Sequence, residues 1–287
     1  MIQEKAYAKV NLHLQVVGKR EDGYHLIETL FAKVDLYDTI YVEFIRDKDI
    51  EIIVEGEKIA KEKNLAYIAG KWYLSRYRIK KWGASIVIKK NIPIGSGLGG
   101  GSSNAASVIK AFLKFFKEKD PNLISDSAIL GADIPFLLSD YTLSIGKGVG
   151  EILEPVESKK KKDYKVTIIY PDIFVSTKEV FDRFDEMEKT IIQSNPPIDV
   201  NLIREIASSF DVDAMKEKFF NHLEKACFTL KPEIKKLKEN LEELTNGFVF
   251  MTGSGSSICV LTEKNERIPL EKLDGSGNFK VYEVGFL

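Results

Sequence analysis

Apolar residues along the first half of the chain recur in the way that β-strands require. Strands are predicted over residues 7–16, 28–34, 39–44, 50–54 and 85–88. Residues 64–79 instead carry apolar side chains at the three- and four-residue spacing of a helix. Since strands and helices do not alternate regularly, the pattern favours an α+β protein over a doubly wound sheet.

The second half of the chain is richer in helical patterns. Helices are predicted over residues 177–189, 200–210, 214–228 and 232–244, and strands over residues 165–170, 248–251, 257–261 and 280–285. Around residues 154–165, a proline and the lysine run 159–162 interrupt both patterns, as a solvated connection does. We therefore predict two domains, residues 1–155 and residues 156–287.

A glycine-dense segment follows the strand at residues 85–88 and precedes a helical pattern at residues 103–118. It reads Pro93-Ile94-Gly95-Ser96-Gly97-Leu98-Gly99-Gly100-Gly101-Ser102-Ser103. Glycine permits positive φ angles and lets backbone N–H groups approach an anion closely. The N-terminus of a helix adds unpaired N–H groups and the favourable end of its dipole. The segment therefore predicts a phosphate-binding loop.

Two well-known phosphate loops fit this segment poorly. A Walker A loop requires a lysine after its last glycine, and here a serine follows. The glycines do satisfy Gly-x-Gly-x-x-Gly, but a dinucleotide-binding unit needs a second apolar strand after its helix, and residues 117–127 are polar. An ordinary turn needs only one or two glycines, so a loop without a ligand is also disfavoured.

The loop resembles the second motif of the GHMP kinases, and the resemblance spans nearly the whole chain. Four further segments occur in order, namely Ala8-Lys9-Val10-Asn11-Leu12, Asp22-Gly23-Tyr24-His25, Gly131-Ala132-Asp133-Ile134-Pro135-Phe136 and Thr252-Gly253-Ser254-Gly255-Ser256. Together they are similar to one branch of that family, which phosphorylates an alcohol carrying a cytidyl diphosphate group in non-mevalonate isoprenoid synthesis. The resemblance implies a two-domain GHMP kinase fold, with an N-terminal domain like the second domain of ribosomal protein S5 and a ferredoxin-like C-terminal domain.

The resemblance also implies a catalytic pair, Lys9 and Asp133. Asp133 would orient or accept the proton of the substrate hydroxyl, and Lys9 would hold Asp133 ionised and neutralise charge on the reacting oxygens. Alternation along the first strand puts Lys9 and Asn11 on one face, although the residues alone also allow that face to be an outward one. The residues alone equally allow Asp133 to brace a turn before Pro135.

Substrate recognition is assigned by the same resemblance to three rings. Tyr24 and Phe181 would sandwich the cytosine and His25 would hydrogen-bond it, and such stacking contributes about 1–3 kcal/mol per base. Ordinary half-buried packing explains these rings equally well from the sequence alone. The other predicted substrate contacts are Asn11, Gly253 and Ser254, the last two in a segment that a hairpin turn also explains.

ATP is the implied phosphoryl donor, with Mg²⁺ bound mainly through its phosphates. The predicted ATP-binding residues are the whole segment 93–103 together with Asn64 and Lys90, for which a helix cap and a solvated lysine are alternatives. Two features depart from the family pattern. Ala6-Tyr7 replaces the usual Ser-Pro, and Ser96 stands where glycine is common.

Composition agrees with a cytoplasmic enzyme that acts on small molecules. The 287 residues carry a formal net charge of −1, so no global attraction to nucleic acid or an anionic membrane is expected. No apolar run approaches the length of a membrane span, and no signal-peptide core is present at the start. Cys227 and Cys259 are predicted to be buried free thiols, and the three scattered histidines suggest no metal site. Nothing indicates an obligate protein partner.

The predicted function is ATP-dependent phosphorylation of the 2-hydroxyl of the cytidyl diphosphate alcohol. Two alternatives remain open. Another GHMP small-molecule kinase, of mevalonate type, would keep the loop, Lys9 and Asp133 but would have no use for stacked rings. A non-catalytic nucleotide sensor would keep the loop and lose phosphoryl transfer.

Overall fold

The computed structural model describes residues 1–56, 59–273 and 279–287. Their contacts group them into two compact units. Unit 1 comprises Met1–Ala8, Leu36–Ile94 and Gly99–Asp140, and unit 2 comprises Lys9–Asp35, Gly95–Leu98 and Tyr141–Leu287 apart from the undescribed residues. These units are groups of contacting residues, and the domain boundary between residues 155 and 156 remains a proposal.

Strands and helices are both abundant, which confirms the α+β class. The strands are β1 (Ile2–Lys19), β2 (His25–Arg46), β3 (Ile50–Glu55), β4 (Trp82–Lys89), β5 (Leu143–Lys147), β6 (Ile152–Pro155), β7 (Tyr164–Tyr170), β8 (Phe248–Met251), β9 (Ile258–Glu263) and β10 (Lys280–Gly285). The α-helices are α1 (Leu65–Arg76), α2 (Gly100–Phe116), α3 (Leu123–Asp126), α4 (Ile134–Leu138), α5 (Thr177–Ser194), α6 (Val200–Ser209), α7 (Val212–Lys218), α8 (Leu223–Leu230) and α9 (Pro232–Leu244).

In unit 1, two long helices pack together beside a sheet. β4 pairs in parallel with β3 and antiparallel with residues 39–46 of β2. α1 approaches β3 closely at Gly70, where a Cβ would stand 2.7 Å from Ile50 Cδ1. Phe112 of α2 packs edge-on against Phe44 and Tyr73. These contacts hold α2 beside α1 and the sheet of unit 1.

In unit 2, β10, β7, β9 and β8 form an antiparallel sheet in that order. Ile258 and Val260 of β9 belong to an apolar core that also contains Phe184 of α5, Cys227 of α8 and Leu241 of α9. Apart from this sheet, β5 pairs antiparallel with residues 29–32 of β2 and with β6. Residues 252–257, which connect β8 to β9, lie beside Lys9 and Asn11 of β1, which belong to the same unit.

Several predicted boundaries were wrong. The stretches 28–34 and 39–44 form one strand, β2, and the predicted helix 214–228 is two helices, α7 and α8. The break has a long-range cause, because the backbone of Phe220 and His222 hydrogen-bonds to Leu14 of β1 instead of continuing a helix. The short elements α4, β5 and β6 were not predicted.

Two buried histidines lie beside that break. The Nδ1 of His13 accepts from the Phe220 N–H at 3.2 Å, so its Nε2–H donates to Gln15 Oε1 at 3.1 Å. Burial lowers the pKa of His13 to about 3, and nearby His222 lowers it further against the opposing effect of Gln15. The pKa of His222 is also lowered by burial. Both rings are therefore neutral in the folded protein near neutral pH.

Acidification is expected to lower the free energy of unfolding through His13. Its folded pKa of about 3 lies below the ordinary value of 6.5, so the unfolded chain binds the proton first and stability is lost as the pH falls from 6.5 towards 3. One such group contributes at most ~1.4 kcal/mol per pH unit in this range. His13→Asn keeps an acceptor for the Phe220 N–H but cannot titrate. Urea unfolding at about pH 7.5 and about pH 5, above the main carboxylate range, should show a shallower loss in the variant. Equal losses would contradict the assignment.

Candidate active site

The glycine loop joins β4 to α2 and adopts the conformation that its composition predicts. Gly95, Gly97 and Gly99 have φ angles of 70°, 78° and 71°, a region that favours glycine. A Cβ on Gly97 would lie 2.4 Å from the carbonyl oxygen of Thr252 and 2.8 Å from that of Gly255. The residues 95–98 and the hairpin end 252–257, all in unit 2, therefore touch backbone to backbone.

The second part of the loop opens α2 within unit 1. Gly99 is the N-cap, and the 17-residue helix begins at Gly100. The N–H groups of the first turn of such a helix attract anions. The Ser103 hydroxyl donates to the Tyr7 carbonyl at 2.6 Å, whereas Ser102 is half-buried beside it. Because Ser103 already donates its hydroxyl hydrogen to the protein, Ser102 is the better candidate of the two serines for binding a ligand.

Asn64 and Lys90 have different environments in unit 1. Asn64 is the N-cap of α1, and its Oδ1 accepts from the Ala66 N–H at 2.9 Å. Lys90 is not a solvated lysine, because its side chain is 13% exposed and forms an ion pair with Asp38, which is fully buried. The alternative interpretation of Asn64 as a helix cap is confirmed, and that of Lys90 as a surface residue is wrong.

Asp133 lies at the start of α4 in unit 1. It is the N-cap residue, and its backbone carbonyl accepts from the Leu137 N–H at 3.1 Å. Within the described residues 131–138, its carboxylate makes no capping hydrogen bond. The side chain is half-buried. The helix therefore does not need the carboxylate for its own N-terminus.

Lys9 and Asn11 lie side by side on β1 in unit 2, as alternation predicts. Each is 3% exposed, and Lys9 Nζ donates to Asn11 Oδ1 at 2.7 Å. The Asn11 Nδ2 donates to Thr29 Oγ1 at 2.8 Å, which fixes the amide with its oxygen towards Lys9. The Lys9 N–H donates to the Leu98 carbonyl at 3.0 Å. A buried cation is thereby held beside the glycine loop, and an outward position for Lys9 is wrong.

The hairpin end 252–257 completes this cluster in unit 2. The Asn11 N–H donates to Thr252 Oγ1 at 2.9 Å, and a Cβ on Gly253 would lie 3.4 Å from Lys9 Nζ. The antiparallel pairing of β8 with β9 confirms the predicted hairpin, yet the turn is buried, with Ser254 only 8% exposed. Its support comes from Asn221, whose Nδ2 donates to the Gly253 carbonyl at 2.7 Å.

Sequence reasoning missed this support. Asn221 and Thr29 belong to none of the recognised motifs, and both bind across long stretches of chain. Thr252 belongs to the segment 252–256, but the resemblance to the GHMP kinases implies no role for it. Its position directly before a glycine-serine turn was the signal that could have identified it. The departure Ser96 is buried, and its carbonyl accepts from the Ser257 N–H at 3.3 Å, so it is part of the same contact.

The three predicted cytosine-binding rings occupy unit 2. His25 stacks on Phe181 with ring centroids 4.7 Å apart and an interplanar angle of 20°. Tyr24 is 64% exposed. His25 Nε2 lies 2.6 Å from Asp185 Oδ1, and Lys19 Nζ lies 2.6 Å from Asp185 Oδ2. Although burial acts to raise it, hydrogen bonds from Lys19 and His25 hold the pKa of Asp185 below its usual value. The structure brings His25 and Phe181 together and leaves Tyr24 largely in solvent.

Three further features of the described residues concern the thiols, metal ligands and membrane-spanning helices. Cys227 and Cys259 are free and buried, as predicted, and burial raises the pKa of Cys227 to about 12. The described ranges hold no group of three or more side chains suited to a metal ion. A search of the same ranges finds no helix with the length and apolarity to cross a membrane.

Family models for both halves of the GHMP kinases match this chain. The profile of the GHMP kinases N terminal domain matches residues 64–138, and that of the GHMP kinases C terminal domain matches residues 199–270. Each match lies within one of the two proposed domains. The chain therefore belongs to the GHMP kinases, and the matched N-terminal region includes the glycine loop.

More specific similarities come from whole-chain relatives. A 4-diphosphocytidyl-2-C-methyl-D-erythritol kinase of Desulfotalea psychrophila is 37% identical over 88% of this chain and 83% of its own length. Proteins of the same name from Clostridium botulinum and Petrotoga mobilis are 37% and 35% identical over 88% of this chain, which is 88% and 96% of their own lengths. A crystal structure of a 4-(cytidine 5'-diphospho)-2C-methyl-D-erythritol kinase covers 99% of both chains at 31% identity, with a TM-score of 0.74. The chain belongs to the 4-diphosphocytidyl-2-C-methyl-D-erythritol kinase family. A homoserine kinase from Cytophaga hutchinsonii, at 17% identity and a TM-score of 0.71, shares the fold.

Proposed function

We propose that the protein transfers the γ-phosphoryl group of ATP to the 2-hydroxyl of 4-diphosphocytidyl-2-C-methyl-D-erythritol. The observation that carries the proposal is the buried pair of Lys9 and Asn11, held where residues 95–98 meet the hairpin end 252–257. A buried ammonium group beside a loop that favours phosphate is arranged to neutralise negative charge. The acceptor alcohol is proposed from the names of the similar kinases, which contain it.

The loop residues fit the phosphates of ATP. Gly97 packs directly on the hairpin end, where a Cβ would collide with backbone oxygens. The helix α2 begins at Gly100, and the N–H groups of its first turn favour an anion. On this proposal, the loop residues 93–103 bind the phosphates, Lys90 adds a positive charge and Asn64 contributes at the nucleotide side. Mg²⁺ would be bound mainly through these phosphates, with the Ser102 hydroxyl as a candidate ligand. It would supply charge neutralisation.

Phosphoryl transfer proceeds through a loose transition state, so catalysis is mainly positioning and electrostatic stabilisation. Asp133 would accept a hydrogen bond from the substrate hydroxyl and take its proton as the bond to phosphorus forms. Lys9 would stabilise charge on the transferred group, and Asn11 would hold Lys9 in place. Gly253 and Ser254 would contact the substrate from the hairpin end.

The cytosine would bind against the rings of Tyr24, His25 and Phe181. Phe181→Leu is expected to raise the KM for the cytidyl substrate by about 5- to 150-fold, the equivalent of about 1–3 kcal/mol of lost stacking. The KM for ATP should change little, since the loop is untouched. Steady-state kinetics with each substrate varied in turn measures both values. A parallel rise in both would indicate a damaged fold and would contradict a role in base binding.

The proposed function is tested by a coupled assay of ADP formation with Mg²⁺ and three alcohols. These are the cytidyl diphosphate substrate, methylerythritol phosphate and mevalonate. Turnover confined to the first alcohol would support the proposal. Turnover with mevalonate would retain the kinase class and refute the substrate. Binding of ATP without turnover of any alcohol would favour a nucleotide sensor.

We further propose that the protein works in the cytoplasm on small molecules, without an obligate protein partner or nucleic acid. The two free buried thiols support this location, because a reducing compartment keeps such thiols unpaired.

A further inference from the structure

We infer that Asp38 is a positioning residue for the phosphate loop, and that its carboxylate joins the residues entering the loop to the helix that leaves it. The inference rests on the proposed phosphate-binding role of that loop. Asp38 lies on β2 and is fully buried, and no predicted motif includes it. All of the contacts that carry the inference lie within unit 1.

The two carboxylate oxygens of Asp38 serve different ends of the loop. Oδ1 accepts from the Asn91 N–H at 2.6 Å and from the Ile92 N–H at 2.8 Å, in the chain that enters the loop. Oδ2 accepts from Asn104 Nδ2 at 2.7 Å, on α2 after the loop. One rigid group therefore spans the loop and fixes the distance between its two ends.

The position of Asp38 in the sheet explains why the chain turns here. β2 and β4 pair in register from Arg46 with Trp82 to Thr39 with Lys89. The next pair of that ladder would be Asp38 with Lys90, and β4 ends there. The carboxylate takes over as acceptor for the two following N–H groups, which would otherwise lose their partners as the backbone leaves the sheet.

Asp38 also holds Lys90 at the first residue of α2. Lys90 Nζ bonds to Asp38 Oδ2 and lies 3.2 Å from the position that a Cβ on Gly100 would take. A cation at a helix N-terminus is unfavourable because it faces the positive end of the dipole. The arrangement becomes favourable when a phosphate binds there. The carboxylate offsets that repulsion before the phosphate arrives, so that Lys90 is already in place.

Burial of this carboxylate is costly unless every lone pair is used. Removing a buried ion from water costs several kcal/mol, and good geometry with additional hydrogen bonds offsets that cost. The four donors from Lys90, Asn91, Ile92 and Asn104 meet this condition. An asparagine at position 38 would offer one acceptor oxygen and place an NH₂ group against other donors. The two ends of the loop would then separate.

Direct nucleotide binding to Asp38→Asn tests the inference without any turnover. Isothermal titration of ATP and AMP is expected to show at least about tenfold weaker ATP binding, or about 1.4 kcal/mol, with AMP binding changed much less. Selectivity for the polyphosphate is a readout that a general loss of packing would not move. Failure of the unaltered protein to bind ATP would instead refute the proposed function.

Asp120→Asn is the matched control in unit 1. Asp120 also accepts four hydrogen bonds, from Arg76 Nε and Nη2, the Tyr77 hydroxyl and the Asn122 N–H, and none of these donors lies in the loop. It should leave the ratio of ATP to AMP affinity unchanged. If Asp38→Asn does not fold, as judged by circular dichroism, Asn104→Ala removes only the α2 end of the link and should weaken ATP selectively. Equal weakening of ATP and AMP in the folded variant, or unchanged ATP binding, would overturn the inference.

Discussion

Replacing Asp133 with asparagine is expected to lower kcat by about 10²–10⁴-fold, the usual contribution of a positioned general base. Asparagine keeps the shape of the side chain but cannot take the proton of the hydroxyl. The KM for ATP should stay within a few-fold, because the group acts on the acceptor and mainly in the transition state. The carboxylate does not cap α4, so the backbone hydrogen bonds that begin the helix are unchanged in the variant. Initial rates with saturating substrates measure the effect.

Asp126→Asn provides the control for this prediction. Asp126 lies in the same unit and pairs with Arg76 at 2.6 Å, with its side chain 46% exposed. Its replacement should leave kcat unchanged. If Asp133→Asn and Asp126→Asn have the same activity, Asp133 is not the residue that handles the hydroxyl proton. A loss of kcat accompanied by a large fall in thermal midpoint would mean that Asp133 is structural.

The second large effect is expected from Gly97→Ala. The residue has a φ of 78°, and its new Cβ would lie 2.4 Å from the Thr252 carbonyl oxygen. The backbone conformation alone costs of order 1–3 kcal/mol for a residue with a side chain, and the collision with backbone adds to it. Either residues 95–98 or the hairpin end must shift, which displaces Gly253 from Lys9 and Asn11. We expect lower stability and a fall in kcat/KM of at least about 100-fold, near 2.7 kcal/mol.

Gly101→Ala is the matched substitution in the same loop. Its Cβ would meet only Leu65 Cδ1 at 3.7 Å, an ordinary contact. It lies in the first turn of α2, where alanine is the better helix former by roughly 0.5–1 kcal/mol. Urea unfolding of both variants should therefore show a loss for Gly97→Ala and no loss for Gly101→Ala. Similar stabilities would refute the close contact at Gly97.

Local chemistry predicted the parts of the site that depend on near neighbours. The positive φ angles at Gly95, Gly97 and Gly99 follow from composition, and the side-by-side placement of Lys9 and Asn11 follows from the alternation of a strand. The burial of the two thiols and the β8–β9 hairpin could also be predicted from the sequence. Each needs only a few consecutive residues to be understood.

The remaining features depend on partners far away in the chain. In the sequence, Lys90 is indistinguishable from a surface lysine. Its ion-pair partner, Asp38, lies on another strand. The predicted strands left residues 35–38 out, yet Asp35 accepts from the Gly285 N–H and Asp38 accepts from the Asn91 N–H, and β2 runs through them. The segment between α7 and α8 leaves the helical path because β1 supplies its hydrogen bonds. No local pattern carries this information.

The ³¹P NMR spectrum of the reaction product tests phosphorylation of the 2-hydroxyl most directly. The purified protein would be incubated with ATP, Mg²⁺ and 4-diphosphocytidyl-2-C-methyl-D-erythritol. Carbon 2 of the erythritol carries a methyl group and no hydrogen. Transfer to its hydroxyl therefore predicts one new phosphomonoester signal, equal in amount to the ADP formed, without proton coupling across the P–O–C linkage. A phosphomonoester signal split by neighbouring protons, or release of inorganic phosphate alone, would contradict the account.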